Sequence, residues 1–120
     1  MDLTLDIQKD GDISILSAHG EIDDFHAPKL SHTFSQLIEK ESCTKLVLDL
    51  EGSTFIDSVG LGTIAIAGKK MKQSQGHMGV VCTNAQLLRL INASGIIDAL
   101  KEQMSLCESI DQAKQKLSTN

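Results

Sequence analysis

The residues best suited to chemistry are Asp57-Ser58-Val59-Gly60-Leu61-Gly62. Ser58 follows an acid and precedes an apolar run with helical spacing, so it stands where a helix begins. The first backbone N–H groups of a helix have no intrahelical partner and favour negative charge. A hydroxyl there can cap the helix by accepting from one of those amides, or it can carry a phosphate. In either role, Gly60 and Gly62 permit a tight turn and close packing.

Two other chemistries are compatible with parts of the loop. Gly60-Leu61-Gly62-Thr63-Ile64-Ala65 matches the G-x-G-x-x-A of dinucleotide sites. The acid needed about 20 residues later for the ribose hydroxyls is missing, because that region reads Val81-Cys82-Thr83-Asn84. Asp57, near mid-chain, could be the phosphate acceptor of a receiver domain. Such a site needs further carboxylates to hold Mg²⁺. The first strand ends in Gln8-Lys9-Asp10 without paired acids, and a receiver alternates strand and helix from its start. The four histidines, His19, His26, His32 and His77, are scattered, and none is presented as a base beside Ser58. No catalytic residue and no cofactor are therefore assigned.

Composition narrows the partners. The chain of 120 residues suits one domain with one core. Its 41% hydrophobic residues include three Phe and no Trp or Tyr, too few aromatics to stack on nucleic-acid bases. The net charge of −5, with no basic cluster, argues against phosphate-backbone binding. Cys43, Cys82 and Cys107 are odd in number and form no short-spaced pair. Reduced thiols in a cytoplasm are expected, and no zinc or other metal site. The start Met1-Asp2-Leu3-Thr4 has no leader-like stretch, and no run is long enough to span a membrane. The chain is expected to be cytoplasmic and monomeric.

The elements that must position the loop follow from periodicity. Leu3, Leu5 and Ile7 alternate as in a half-buried strand, and Asp10-Gly11 signals a hairpin. A second strand is expected over about Ile13 to His19, with Gly20-Glu21-Ile22-Asp23 as a turn. Pro28 suits the first turn of a helix in which Leu30, Phe34, Leu37 and Ile38 recur. Leu46 to Leu50 reads as a central strand covered on both faces, linked by Glu51 to Ile56 to a helix running to about Gln73. Met78 to Cys82 reads as a strand, and Asn84 caps a helix that Ser94-Gly95 ends. A short strand is expected within Leu100 to Leu106. Ser109-Ile110-Asp111-Gln112 opens a last helix with Ile110, Ala113 and Leu117 inward. The order is an α/β one, a single domain over residues 1–117 with a frayed tail at 118–120. It implies a mixed β-sheet with an N-terminal antiparallel hairpin and about four helices packed on it.

Three segments together resemble a known family. Leu46 to Leu50 through Phe55-Ile56-Asp57-Ser58-Val59-Gly60-Leu61-Gly62 resembles the signature of STAS domains, most of all the anti-sigma factor antagonists. Gly20-Glu21-Ile22-Asp23 resembles that family's Gly-Glu-Leu/Ile-Asp turn, and Ser94-Gly95-Ile96 its Ser-Gly-Leu element. The resemblance implies that Ser58 is a phosphorylation site. It also implies that the unphosphorylated chain binds an anti-sigma factor serine kinase and frees a sigma factor. A PP2C-type phosphatase would restore the bound state. Many members carry a second hydroxyl residue after the serine; Val59 stands there in this chain, leaving a single acceptor in the loop.

Partner contacts are expected from Asp57, Ser58, Val59, Gly60, Thr63 and Ile66, and from Glu21, Ile22 and Asp23 in the acidic turn. Val59 and Ile66 exceed what a helix covered on one side needs, which suggests either an apolar docking patch or residues tucked under loops. A scaffold in another signalling complex, or a small-ligand module using the helix end as an anion site, would share the same fold.

Overall fold

The computed structural model describes residues 2–119. Strands β1 (Thr4–Asp10) and β2 (Ile13–Ile22) form an antiparallel hairpin. Asp10 pairs with Ile13, so Gly11 and Asp12 are the two-residue loop, with Gly11 at φ +61°. Strands β3 (Lys45–Ile56), β4 (His77–Val81) and β5 (Met104–Cys107) add in parallel, giving one sheet in the order β1-β2-β3-β4-β5. Helix α1 (Ala27–Ser35) continues as a π-helical turn through Lys40. Then come α2 (Ser58–Gln73), α3 (Ala85–Ser94), a short α4 (Ile96–Ala99) and α5 (Ile110–Ser118).

Strand alternation divides the interior. Leu46, Leu48 and Leu50 of β3 face one side, where they join Leu30 and Phe34 of α1, Ile64 and Met71 of α2, and Leu87 and Ile91 of α3. Val47 faces the other side with Ile13, Ile15, Val81 and Cys107, and Ala113 and Leu117 of α5 cover them. The central strand is thus covered on both faces, as its apolar run predicts.

The structure departs from the sequence expectations at several places. Glu51–Ile56, expected as a link, is strand, and Gly20 to Ile22, expected as a turn, ends β2. Each extension supplies the other's partner: after two register shifts, Glu21 pairs with Phe55 and Ile22 with Ile56. Gly20 at φ +111° lies so close to the Asp2 carbonyl that a side chain would collide with it. A fifth helix, α4, follows the left-handed Gly95 (φ +75°), and β5 starts only at Met104. At the chain end α5 includes Ser118, and the Thr119 N–H closes its last turn on the Lys116 carbonyl. Asn120, the last residue of the expected tail, lies outside the described residues.

Candidate functional site

Strands β2 and β3 end side by side, and the loops leaving their carboxyl ends form the site, as is usual for open parallel sheets. Asp57 organises it. Its extended backbone makes it the N-cap of α2, and its Oδ1 accepts from the Gly60 N–H at 2.8 Å. Its Oδ2 accepts from the Asp24 N–H at 3.0 Å, and its own N–H donates to the Ile22 carbonyl at 3.2 Å. One carboxylate therefore ends a helix and fastens the loop leading into α1.

That arrangement removes one of the two roles open to Ser58. Ser58 is not the cap; it is the first helical residue and is exposed. Among the described residues, no hydrogen bond engages its hydroxyl. The Ser58 and Val59 amides precede the first intrahelical bond, Leu61 N–H to the Asp57 carbonyl. An uncommitted nucleophilic oxygen thus stands at the positive end of a sixteen-residue helix.

The loop before α1 is equally well tied. Asp23 Oδ1 accepts from the His26 N–H at 3.0 Å and lies 2.7 Å from His26 Nδ1. The His26 backbone bond, aided by the His26 side chain, holds the Asp23 carboxyl below the usual aspartate range. Asp24 is exposed beside it, and Glu21 is partly buried.

The predicted contact residues divide by exposure. Ser58, Val59 (48%) and Ile66 (53%) are exposed. Glu21, Asp23, Asp57 and Thr63 are partly buried, and the Thr63 hydroxyl donates to the Val59 carbonyl at 3.0 Å. Ile22 and Gly60 correct the expectation, because both are buried. Ile22 contributes its carbonyl from inside the core, and a Cβ at Gly60 would collide with that carbonyl. Two aromatic residues that were not among the expected contacts are exposed near the loop ends. Phe25 is 80% exposed and Phe55 45% exposed, while the third phenylalanine, Phe34, is buried. The sequence signal for Phe25 was its place in Asp23-Asp24-Phe25-His26, outside any apolar period.

On the other flank of Ser58 a groove of about 740 Å³ runs between α2 and the α3–α4 corner. Leu61, Ala65, Ile96 and Leu100 give it an apolar lining, and Lys69 and Lys72 stand at its far end. Gly62 lies in this wall. A Cβ there would meet nothing within 4 Å, so packing inside the chain does not require glycine, although glycine within a helix costs about 0.5–1 kcal/mol relative to alanine.

All three cysteines are free and buried, and burial pushes the Cys82 thiol up. Among the described residues, no three His, Cys, Asp or Glu side chains are grouped to hold a metal, and no helix is long and apolar enough to cross a membrane.

A five-stranded sheet opened by a hairpin, with a bare serine at the start of α2, defines a small α/β domain built to present that loop. The chain belongs to the STAS domain family, whose model matches residues 4–113. It is 29% identical over 96 residues to the anti-sigma F factor antagonist of Paenibacillus polymyxa, covering 80% of this chain and 82% of that one. It is 31% identical over 94 residues to the anti-sigma-F factor antagonist RsfB of Mycobacterium tuberculosis, covering 78% and 75%. The crystal structure of an anti-sigma factor antagonist from Mycobacterium paratuberculosis superposes with a TM-score of 0.87 at 27% identity, over 98% of this chain and 95% of that one.

Proposed function

We propose that this chain is an anti-sigma factor antagonist whose binding is switched by phosphorylation of Ser58. The observation that carries this reading is the exposed Ser58 hydroxyl, left uncommitted because Asp57 performs the capping. Unphosphorylated, the chain binds a serine-kinase anti-sigma factor and so frees the sigma factor. The kinase transfers phosphate to Ser58, and a PP2C-type phosphatase removes it. The chain is a binding regulator and a substrate, not an enzyme. It acts as a monomeric cytoplasmic domain over residues 1–117.

The switch is electrostatic. A phosphate brings about −1.5 to −2 charge at pH 7. At the start of α2 it gains roughly 0.3–1 kcal/mol from the helix end, so the fold survives. A docked partner would have to bury that charge unpaired, at about 2–5 kcal/mol. The contact surface on this reading comprises Ser58, Val59, Thr63 and Ile66, flanked by Glu21 and Asp23. Asp57, Ile22 and Gly60 set its backbone. The match to the family and the names of the relatives support the reading.

The test is phosphorylation and binding with the purified anti-sigma factor kinase of the host. Wild type should gain one phosphate, mapped to Ser58 by peptide mass, and Ser58→Ala should gain none yet still bind. Ser58→Asp should bind tens to thousands of fold more weakly, the equivalent of that penalty. Equal binding by both variants, with no phosphate added to wild type, would overturn it.

A further inference from the structure

The groove between α2 and the α3–α4 corner is not explained by a serine switch alone. Ser58 forms one end of it, and Lys69 and Lys72 the other. Ser58, Gly62, Ala65 and Lys69 follow one another along a single face of α2, at the three- and four-residue spacing of a helix. We propose that this groove seats an amphipathic helix of the partner, laid antiparallel to α2, with an acidic residue in its first turn between Lys69 and Lys72. The proposal rests on the partner-switching reading and names the element the kinase would use.

Four features of the groove favour a helix. Its α2 wall from Ser58 to Lys72 rises roughly 21 Å, about four helical turns, matching helix-in-groove recognition. Its lining is apolar along the middle, with Leu61 and Ala65 facing Ile96 and Leu100. The small side chains of Ser58, Gly62 and Ala65 let a second helix axis approach to about 8 Å. Gly62 in particular leaves room that no atom of this chain uses.

Charge then fixes the direction. Lys69 and Lys72 are exposed, and neither has an ion pair among the described residues, in a chain whose net charge is −5. Acidic side chains are favoured in the first turn of a helix, which places the partner's N-terminus at the lysines. Its negative C-terminal end then meets the positive start of α2 at Ser58. Phosphate on Ser58 would turn that attraction into repulsion, so the docked helix would itself sense the switch.

The experiment measures affinity for the purified host kinase in a Ser58→Ala background, which excludes phosphorylation. Lys69→Glu with Lys72→Glu should weaken binding about tenfold or more, and raising salt should shrink the difference. Lys69→Arg with Lys72→Arg should bind like the parent. Gly62→Ala should raise the thermal midpoint while weakening binding by a few fold. If the kinase binds the parent and the glutamate pair and Gly62→Ala bind equally well, the groove proposal falls and the Ser58 reading stands. If the kinase binds neither wild type nor parent, the partner-switching reading falls, and the groove proposal with it.

Discussion

Asp57 and Ser58 are neighbours with opposite employment. Asp57 uses both carboxylate oxygens inside the molecule, one on the Gly60 amide and one on the Asp24 amide. Ser58 uses its hydroxyl on nothing among the described residues. Replacing Asp57 by Ala should therefore cost about 1–2 kcal/mol, the usual loss for a good cap. Asp57→Asn should recover most of it, because asparagine caps almost as well. Ser58→Ala should stay within about 0.5 kcal/mol of wild type, as surface changes do. Urea unfolding of the three variants checks this ordering; a Ser58→Ala loss equal to that of Asp57→Ala would return the capping role to the serine. The sequence brought both residues to the helix start. It left Ser58 open as cap or phosphate acceptor, because serine and aspartate both cap well, and one of the bonds that hold Asp57 in place, from the Asp24 amide, comes from 33 residues away.

At the scale of elements, α2 carries the site and its heptad-like spacing was readable. Of the expected core stripe Leu61, Ile64, Gly68 and Met71, the last three are buried, joined by Ala67, whereas Leu61 is only partly buried and lines the groove; Val59 and Ile66 are exposed. Lys70, four residues after Ile66 on the same side of α2, is spent inside the chain, donating to Ser35 of α1 at 3.2 Å and to Glu39 of the π-helical turn at 2.5 Å. The alternative of residues tucked under loops therefore fails for Val59 and Ile66. Ile66→Lys should leave unfolding unchanged within about 0.5 kcal/mol and weaken kinase binding. Unchanged affinity in that folded variant would remove Ile66 from the contact surface. The strand ends were less readable than the helix. Glu51–Ile56 has no clean alternation, and its strand conformation depends on pairing with Glu21 and Ile22. The loop carrying Phe25 is legible only once that pairing fixes where β2 stops.

Across the whole molecule, the sheet separates the face that carries the Ser58 loop from the face covered by α5. Helices α1 to α4 and the Ser58 loop belong to the larger core cluster, and α5 closes the smaller one. Leu117, 2% exposed, packs in that second cluster with Ile13, Ile15 and Val47. Leu117→Ala should cost about 2–5 kcal/mol by leaving a cavity there. At temperatures where the variant is folded, phosphorylation of Ser58 should proceed as in wild type, because the sheet lies between the two. Kinase assays beside denaturant titration check both halves. A defect in phosphorylation of the fully folded variant would show that the two faces are coupled.

Local sequence settled the class of fold, the hairpin, the succession of strands along the chain, the helical apolar spacing of α2 and the place of Ser58. These follow from local properties: side-chain period, turn residues and capping types within a few positions of one another. Tertiary structure alone decided that Asp57 rather than Ser58 caps α2, that Ile22 and Gly60 lie inside, that Phe25 lies outside, and that a groove opens along Gly62. The cap is a local bond to the Gly60 amide, steadied by the distant Asp24 amide and Ile22 carbonyl; the other three depend on groups brought together from distant parts of the chain, which local spacing does not name.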